Sequence, residues 1–148
     1  MVDVFKSAVI DAPVEKVWAL IRDFNGHDRW HPIVLDSHIE DGGPSDRVGC
    51  VRSFHVRGGA HIREELTALS DQDYSFSYRI LEAEVGLLNY VAHMKLVPIT
   101  EDGRTFLQWW SRFDTPPGEE ETLKRMVEED VYQAGIDAIR KAVGAGAG

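Results

Sequence analysis

Residues 118–143, GEEETLKRMVEEDVYQAGIDAIRKAV, carry the one long helical pattern of this 148-residue chain. Their apolar residues recur at spacings of three and four, which predicts a helix with a single apolar stripe. The stripe comprises Leu123, Met126, Val127, Val131, Ala134, Ala138, Ile139, Ala142 and Val143. Because several of these are alanines and Gly135 lies close by, a helix packed on a curved sheet is expected to leave a hollow between the layers. We expect the functional site in that hollow.

The segments that precede this helix are typical of strands and supply the sheet that the stripe requires. Seven strands are predicted, at residues 2–10, 34–40, 47–57, 60–70, 74–83, 89–99 and 104–114. Two short helices follow the first strand, one from Pro13 to Gly26 and another at residues 27–30. The sequence thus indicates an α+β chain with a seven-stranded antiparallel sheet and a long C-terminal helix. We expect a single domain over residues 1–148, with a flexible glycine-rich tail at 144–148.

Charge and composition narrow the classes of function. A formal net charge of −9 argues against nucleic-acid binding, which depends mostly on cationic side chains. The chain has no run of eighteen apolar residues and no signal-peptide pattern at its start, so we expect no stable membrane insertion and a cytoplasmic location. Cys50 is the single cysteine and is expected to be a small core residue. No nucleotide-binding, zinc-protease or hydrolase motif is present, so no cofactor is predicted.

Alternation along the strands predicts which side chains face the long helix. The inward sets are Ala60, Ile62, Glu64, Leu66 and Ala68, then Tyr74, Phe76, Tyr78 and Ile80, then Tyr90, Ala92, Met94 and Leu96, and finally Leu107, Trp109, Ser111 and Phe113. A four-residue loop at 100–103 would pair Met94 with Trp109, Leu96 with Leu107 and Tyr90 with Phe113. Both apolar sets then lie on one face of the sheet, which supports the two assignments.

The hairpin at Gly58-Gly59 allows two registers. A three-residue loop with a glycine bulge places Arg52 opposite Glu64, whereas a two-residue turn places Ser53 there instead. The first register is preferred, because it turns the more apolar set inward, namely Val48, Cys50, Phe54 and Val56.

An inward Arg52 beside an inward Glu64 is the sharpest chemical hypothesis from the residues. A charge on an apolar concave face is costly unless it is paired. The pair is either a structural ion pair, a device that orients a polar group of a ligand, or a source of general acid and base catalysis through Glu64. The sequence leaves these three alternatives open.

The histidines do not predict a metal site. His27 and His31 lie four residues apart, and His55 and His61 are expected to be cross-strand neighbours on the outer face, but neither pair has further ligands of a suitable type. Trp30, next to His31, either closes the mouth of a pocket or fills the core.

Several short motifs resemble a known family. They are residues 12–18 (APVEKVW), 23–24 (DF), 30–32 (WHP), 49–52 (GCVR), 63–69 (REELTAL), 78–80 (YRI) and 109–114 (WWSRFD). Over nearly the whole chain the pattern resembles the polyketide cyclase/dehydrase-like branch of the START-related helix-grip (SRPBCC) superfamily. That resemblance implies a curved seven-stranded antiparallel sheet wrapped around a C-terminal helix, with an apolar cavity between them. Members of the superfamily bind lipids, sterols, hormones or polyketides, and a minority catalyse cyclisation or dehydration.

The resemblance also implies which residues line the cavity. The implied lining is Trp30, Arg52, Phe54, Glu64, Tyr78, Tyr90, Met94 and Trp109, with Met126, Val127 and Asp130 from the long helix.

Three functions remain open. The favoured one is binding of a small, largely apolar molecule that is a lipid, an aromatic or a polyketide-like compound. The second is a polyketide cyclase or dehydratase with Glu64 as general acid or base and Tyr78 or Tyr90 as hydrogen-bond donor. The third is a protein-interaction module, including a homodimer, through an outer sheet face that carries Trp110.

Overall fold

Seven antiparallel strands form one sheet in residues 1–145, the part of the chain that this computed structural model describes. The strands are β1 (Val2–Ile10), β2 (Val34–Ile39), β3 (Val51–Val56), β4 (His61–Ser70), β5 (Ser75–Ala83), β6 (Leu88–Ile99) and β7 (Arg104–Asp114). They lie in the order β1-β7-β6-β5-β4-β3-β2, so consecutive strands are neighbours except β1 and β2, which lie at opposite edges. The predicted sheet is therefore confirmed.

The helices follow the predicted plan. Helix α1 (Val14–Ile21) begins directly after Pro13, and a 3-10 helix (His27–Arg29) follows it. The long C-terminal helix consists of α2 (Glu120–Arg125), a π-helical segment (Met126–Gln133) and α3 (Ala134–Ala145). Residues 144 and 145 of the expected flexible tail are thus helical, and residues 146–148 lie outside the described part. No helix in residues 1–145 is long and apolar enough to cross a bilayer.

The π-helical segment changes which face of the long helix meets the sheet. The buried residues of this helix are Leu123, Val127, Tyr132, Gly135, Ile136, Ile139 and Val143. Val127 and Tyr132 are five residues apart, because a π turn contains more residues than an α turn. The predicted stripe rests on spacings of three and four throughout, so it omits Tyr132 and Ile136.

Strand register brings the predicted partners together. Arg52 pairs with Glu64 and Phe54 pairs with Ile62 across β3 and β4, which confirms the preferred hairpin register. Across β6 and β7, Met94 pairs with Trp109 and Leu96 pairs with Leu107, as predicted. Tyr90 and Phe113 also meet, with ring centroids 5.7 Å apart.

Two inward assignments are wrong. Ala68 is exposed, because the register of β4 and β5 shifts between Leu66 and Ala68 and a bulge of this kind breaks the alternation. Val48 is 56% exposed, since β3 begins only at Val51 and the residues before it form turns.

Gly135 marks the closest approach of the long helix to the sheet. A Cβ atom built on Gly135 would lie 2.7 Å from Cζ3 of Trp109 and 3.1 Å from Cδ2 of His31. The expectation that small residues here leave a hollow is therefore wrong at Gly135, where the Trp109 ring fills the space. The cavity lies nearer the start of the helix.

We predict that Gly135→Ala destabilises the protein by about 2 kcal/mol, because the new methyl group overpacks the Trp109 ring. Urea unfolding followed by circular dichroism measures the change. Gly144→Ala is the matched control, since within residues 1–145 no heavy atom outside its own stretch of helix lies within 4 Å of its Cβ position. That control is expected to be neutral or to stabilise by less than about 1 kcal/mol. Equal stability of both variants would contradict the close approach.

Candidate functional site

A cavity lies between the inner face of the sheet and the first half of the long helix. The volume of the cavity is about 110 Å³, which is several times the volume that one water molecule requires. The wall is mostly apolar, and the few polar groups on it are therefore the groups that can orient a ligand.

Ten of the eleven residues implied by the family resemblance lie on this wall. They are Trp30, Arg52, Phe54, Glu64, Tyr78, Tyr90, Met94, Trp109, Met126 and Val127. Asp130 is exposed and is not part of the wall. The reason is the π-helical segment, in which the buried residues are Val127 and Tyr132, so that Asp130 lies on the opposite, solvent-facing side.

Part of the wall is not predicted by the sequence. His27 is considered from the sequence only as one of a histidine pair without further metal ligands. The apolar loop at 84–88 is expected either to pack on the core or to form a mobile lip at a pocket entrance. In the structure His27 and two residues of this loop, Val85 and Leu87, line the cavity. Gly86 lies against the start of the long helix, since a Cβ atom built on it would be 3.1 Å from both Leu123 and Pro116. The apolar character of residues 84–88 is the one sequence signal for this placement.

Arg52 and Glu64 form a buried ion pair at the cavity wall. Nε and Nη2 of Arg52 donate to Oε1 of Glu64 at 2.8 and 2.6 Å, and the side chains are only 8% and 7% exposed. Nη1 of Arg52 donates to the carbonyl of Phe24 at 2.7 Å, and the guanidinium carbon lies 3.9 Å from the centroid of the Phe24 ring. The pair is thus fixed in position by a second element of the fold.

The second carboxylate oxygen of Glu64 accepts no hydrogen bond from residues 1–145. Burial raises the pKa of the Glu64 carboxyl, and the nearby charge of Arg52 opposes that increase. Glu64 therefore offers one oxygen to a polar group of a ligand in the cavity.

Two tyrosine hydroxyls on the wall are bound to protein partners. Nε1 of Trp109 donates to the Tyr78 hydroxyl at 3.0 Å. The hydroxyls of Tyr90 and Tyr132 are hydrogen-bonded to each other, and the Trp109 and Tyr132 rings are stacked with centroids 4.4 Å apart. Burial raises the pKa of Tyr78 and of Tyr90 far above the range of ordinary phenols, so both remain uncharged.

His31 links the segment after α1 to the long helix. Its Nε2 donates to the carbonyl of Val131 at 2.7 Å, and the backbone N–H of Ile33 donates to its Nδ1 at 3.3 Å. Both ring nitrogens are therefore used, and His31 is 5% exposed. Buried His31 thus fills the core at the edge of the cavity, and both His31 and Trp30 lie on the cavity wall.

His27 has a different environment. It is 7% exposed, its ring meets the Phe54 ring edge-on at 4.6 Å, and neither ring nitrogen has a hydrogen-bond partner in residues 1–145. Burial lowers the pKa of His27 well below its ordinary value, and the nearby charges of Arg52 and His31 lower it further. The imidazole is thus neutral. No group of three or more potential metal ligands occurs in the described part of the chain.

The outer face of the sheet carries its own aromatic and histidine groups. Trp110 stacks on His93 with centroids 5.1 Å apart and lies 6.4 Å from the Phe5 ring. His55 and His61 are cross-strand neighbours with ring centroids 4.9 Å apart, as predicted.

Comparison with known proteins identifies relatives of this chain. A family model described as polyketide cyclase / dehydrase and lipid transport matches residues 1–144. The abscisic acid receptor PYL7 of Arabidopsis thaliana is 29% identical over 114 residues, and the match covers 74% of this chain and 53% of the receptor. The chain thus spans about half the length of this curated relative.

Solved structures share the fold. The protein XoxI from Bacillus cereus has a TM-score of 0.87 at 24% identity, with coverage of 100% of this chain and 99% of that one. The Zhui aromatase/cyclase from Streptomyces sp. R1128 has a TM-score of 0.85 at 18% identity, with coverage of 99% and 96%. At these identities the likeness shows the architecture.

We predict that Glu64→Gln destabilises the protein by about 3 kcal/mol, because it leaves the Arg52 charge buried without its counter-charge. The double variant Arg52→Met with Glu64→Leu is expected to cost much less than the summed costs of Arg52→Met alone and Glu64→Leu alone, since no unpaired charge remains. Urea unfolding of the wild type, these two single variants and the double variant measures this coupling. Additive losses would show that the two side chains do not act as a pair.

We also predict that stability falls with acidification between about pH 7 and pH 5.5. Above the ordinary histidine pKa, His27 is neutral in both the folded and the unfolded chain and contributes nothing. Below that pKa only the unfolded chain takes up the proton, so folding loses up to about 1.4 kcal/mol per pH unit.

His27→Phe tests this assignment because it removes the titrating group from the buried position. It should make the pH dependence shallower by about 1 kcal/mol over that range, as measured by urea unfolding at several pH values. His38→Phe, at an exposed position, is the control and should leave the slope as in the wild type. An unchanged slope in His27→Phe would refute the effect of burial.

Proposed function

The chain belongs to the polyketide cyclase / dehydrase and lipid transport family, and from this premise we propose that it binds a small, largely apolar molecule between the sheet and the long helix. The observation that carries the proposal is the apolar cavity whose wall holds one buried ion pair with a free carboxylate oxygen. The apolar wall provides the binding free energy, and the ion pair at Arg52 and Glu64 orients a polar end of the ligand.

The size of the cavity limits the ligand. An engineered cavity of about 150 Å³ holds a benzene molecule, and the space here is of the same order at about 110 Å³. A ligand with one ring, or a short aliphatic chain, fits this space. A polyketide of two or more rings requires the loop at residues 84–88 or the segment at 27–33 to move.

The hydrogen bonds of Glu64, Tyr78 and Tyr90, the three groups that a cyclase would use, favour binding over catalysis. Oε1 of Glu64 accepts both hydrogen bonds from Arg52, and the hydroxyls of Tyr78 and Tyr90 are bound to Trp109 and to a second tyrosine. An abscisic acid receptor and an aromatase/cyclase are both similar to this chain, and each has to hold a small molecule, so binding is the property they share.

A cyclase or dehydratase is the second candidate function. The observation that favours it is the raised pKa of Glu64, which moves this carboxyl towards the range suited to proton transfer. Native mass spectrometry of protein purified from its own cells separates the two functions. A molecule retained unchanged supports binding, whereas a product that Glu64→Gln no longer forms supports catalysis.

Two further expectations stay predictions. One is a homodimer through the outer face around Trp110, which size-exclusion chromatography of Trp110→Ala would test. The other is a cytoplasmic location without nucleic-acid partners.

We predict that benzene binds in the cavity of the purified protein, and that it shifts the indole N–H signals of Trp30 and Trp109 in ¹H–¹⁵N NMR spectra. Trp18 and Trp110 do not line the cavity and serve as internal controls. Val131→Phe, which places a larger side chain into the cavity, should weaken binding at least about tenfold, or about 1.4 kcal/mol.

Val97→Phe is the matched control, because Val97 lies on the outer face and is 38% exposed. It should bind as the wild type does. Shifts that persist in Val131→Phe, or that appear only at Trp18 and Trp110, would refute binding in the cavity.

A further inference from the structure

We propose that His27 and Trp30 form a second polar subsite in the cavity, separate from the ion pair, which binds an uncharged hydroxyl group on an aromatic ligand. This inference rests on the proposed binding function and specifies the ligand further. Both residues line the cavity, and neither was needed to explain the fold or the ion pair.

Three polar atoms of the two side chains are buried and have no partner. They are Nδ1 and Nε2 of His27 and Nε1 of Trp30, none of which has a hydrogen-bond partner in residues 1–145. Buried polar atoms are nearly always hydrogen-bonded in native proteins, because an unmet donor or acceptor costs free energy. Both side chains line the cavity, so an unmet indole N–H and an unmet imidazole together point to a ligand group between them.

The local backbone favours neighbouring positions for the two side chains. Residues 27–29 form a 3-10 helix, Trp30 follows it directly, and the backbone N–H of Trp30 bonds to the carbonyl of His27. Because side chains three residues apart are eclipsed in 3-10 geometry, we infer that His27 and Trp30 project from the same side. His31 does not join them, because both of its ring nitrogens are already bonded.

The chemistry of the three atoms selects a hydroxyl. The neutral imidazole has one N–H donor and one acceptor nitrogen, and the indole has one N–H donor. The two imidazole nitrogens point away from each other, so one ligand group reaches the indole N–H and one imidazole nitrogen. A hydroxyl accepts from the indole N–H and donates to the acceptor nitrogen of the imidazole, whereas a carbonyl oxygen cannot donate. A carboxylate is disfavoured, since its charge would be buried beside a neutral imidazole in an apolar wall.

The Phe54 ring contacts His27 edge-on and indicates where the aromatic part of the ligand lies. Phe54 and Trp30 are both on the wall, so a flat ring that carries the hydroxyl can lie against them. The proposed ligand class is therefore a phenol, or a larger aromatic compound with a phenolic hydroxyl.

The test compares phenol with benzene, which differ by one hydroxyl, in NMR titrations of the full chain. The wild type is expected to prefer phenol by about five- to tenfold. His27→Phe keeps the ring against Phe54 but removes both nitrogens, so the preference should fall to about one. Trp30→Phe should reduce it in part, and His38→Phe, on the exposed side of β2, should keep the wild-type preference.

A second measurement uses only the wild type, so it tests the subsite without depending on whether the His27→Phe protein folds. The imidazole ¹⁵N signals of His27 in the wild type should shift when phenol binds and should not shift in the same way with benzene.

Each of the following outcomes would refute the proposed subsite. Equal affinity of the wild type for the two probes, or a preference that survives in His27→Phe, refutes it while leaving the cavity as a binding site. A preference that depends on Glu64 alone places the hydroxyl at the ion pair instead. Failure of both probes to bind would remove the subsite and the proposed function together.

Discussion

The contact between Gly135 and Trp109 sets the distance between the long helix and the sheet. At this position the helix backbone lies directly on the indole ring, and the residues that follow it, Ile136, Ile139 and Val143, are buried in the same core. Towards its start the helix presents Met126, Val127 and Val131 to open space. One glycine thus separates a packed half of the interface from a half that encloses a cavity.

The charged and polar groups of the cavity balance one another. The charge of Arg52 is met by Glu64, and that of Asp23, which also lines the cavity, is met by Arg29. The tyrosine hydroxyls are uncharged, and the imidazole of His27 is neutral. The interior therefore carries no net charge for a ligand to neutralise. Such a wall favours uncharged, mostly apolar molecules, and its few unmet hydrogen-bonding atoms distinguish between ligands of similar shape.

The sequence predicted the sheet well, because strand alternation and hairpin register depend on neighbouring residues. The pairing of Arg52 with Glu64 was predicted by choosing the hairpin register that gave the more apolar inner face, and the structure confirms this register. Features that depend on tertiary context were missed. A π-helical segment leaves no clear mark in an apolar pattern, so Tyr132 was overlooked and Asp130 was wrongly placed on the wall. The unpartnered nitrogens of His27 become visible only once all neighbours are known.

The position of β1 has a consequence for the order in which the chain assembles. β1 pairs with β7, and its Asp3 bonds to Arg112, 109 residues away along the chain. Contacts of such long sequence separation slow folding, because a large loop has to close before they form. During synthesis the first strand has to wait for the last strand of the sheet to leave the ribosome. The nascent chain therefore exposes a strand edge for most of its translation, a period in which chaperones protect such edges from aggregation.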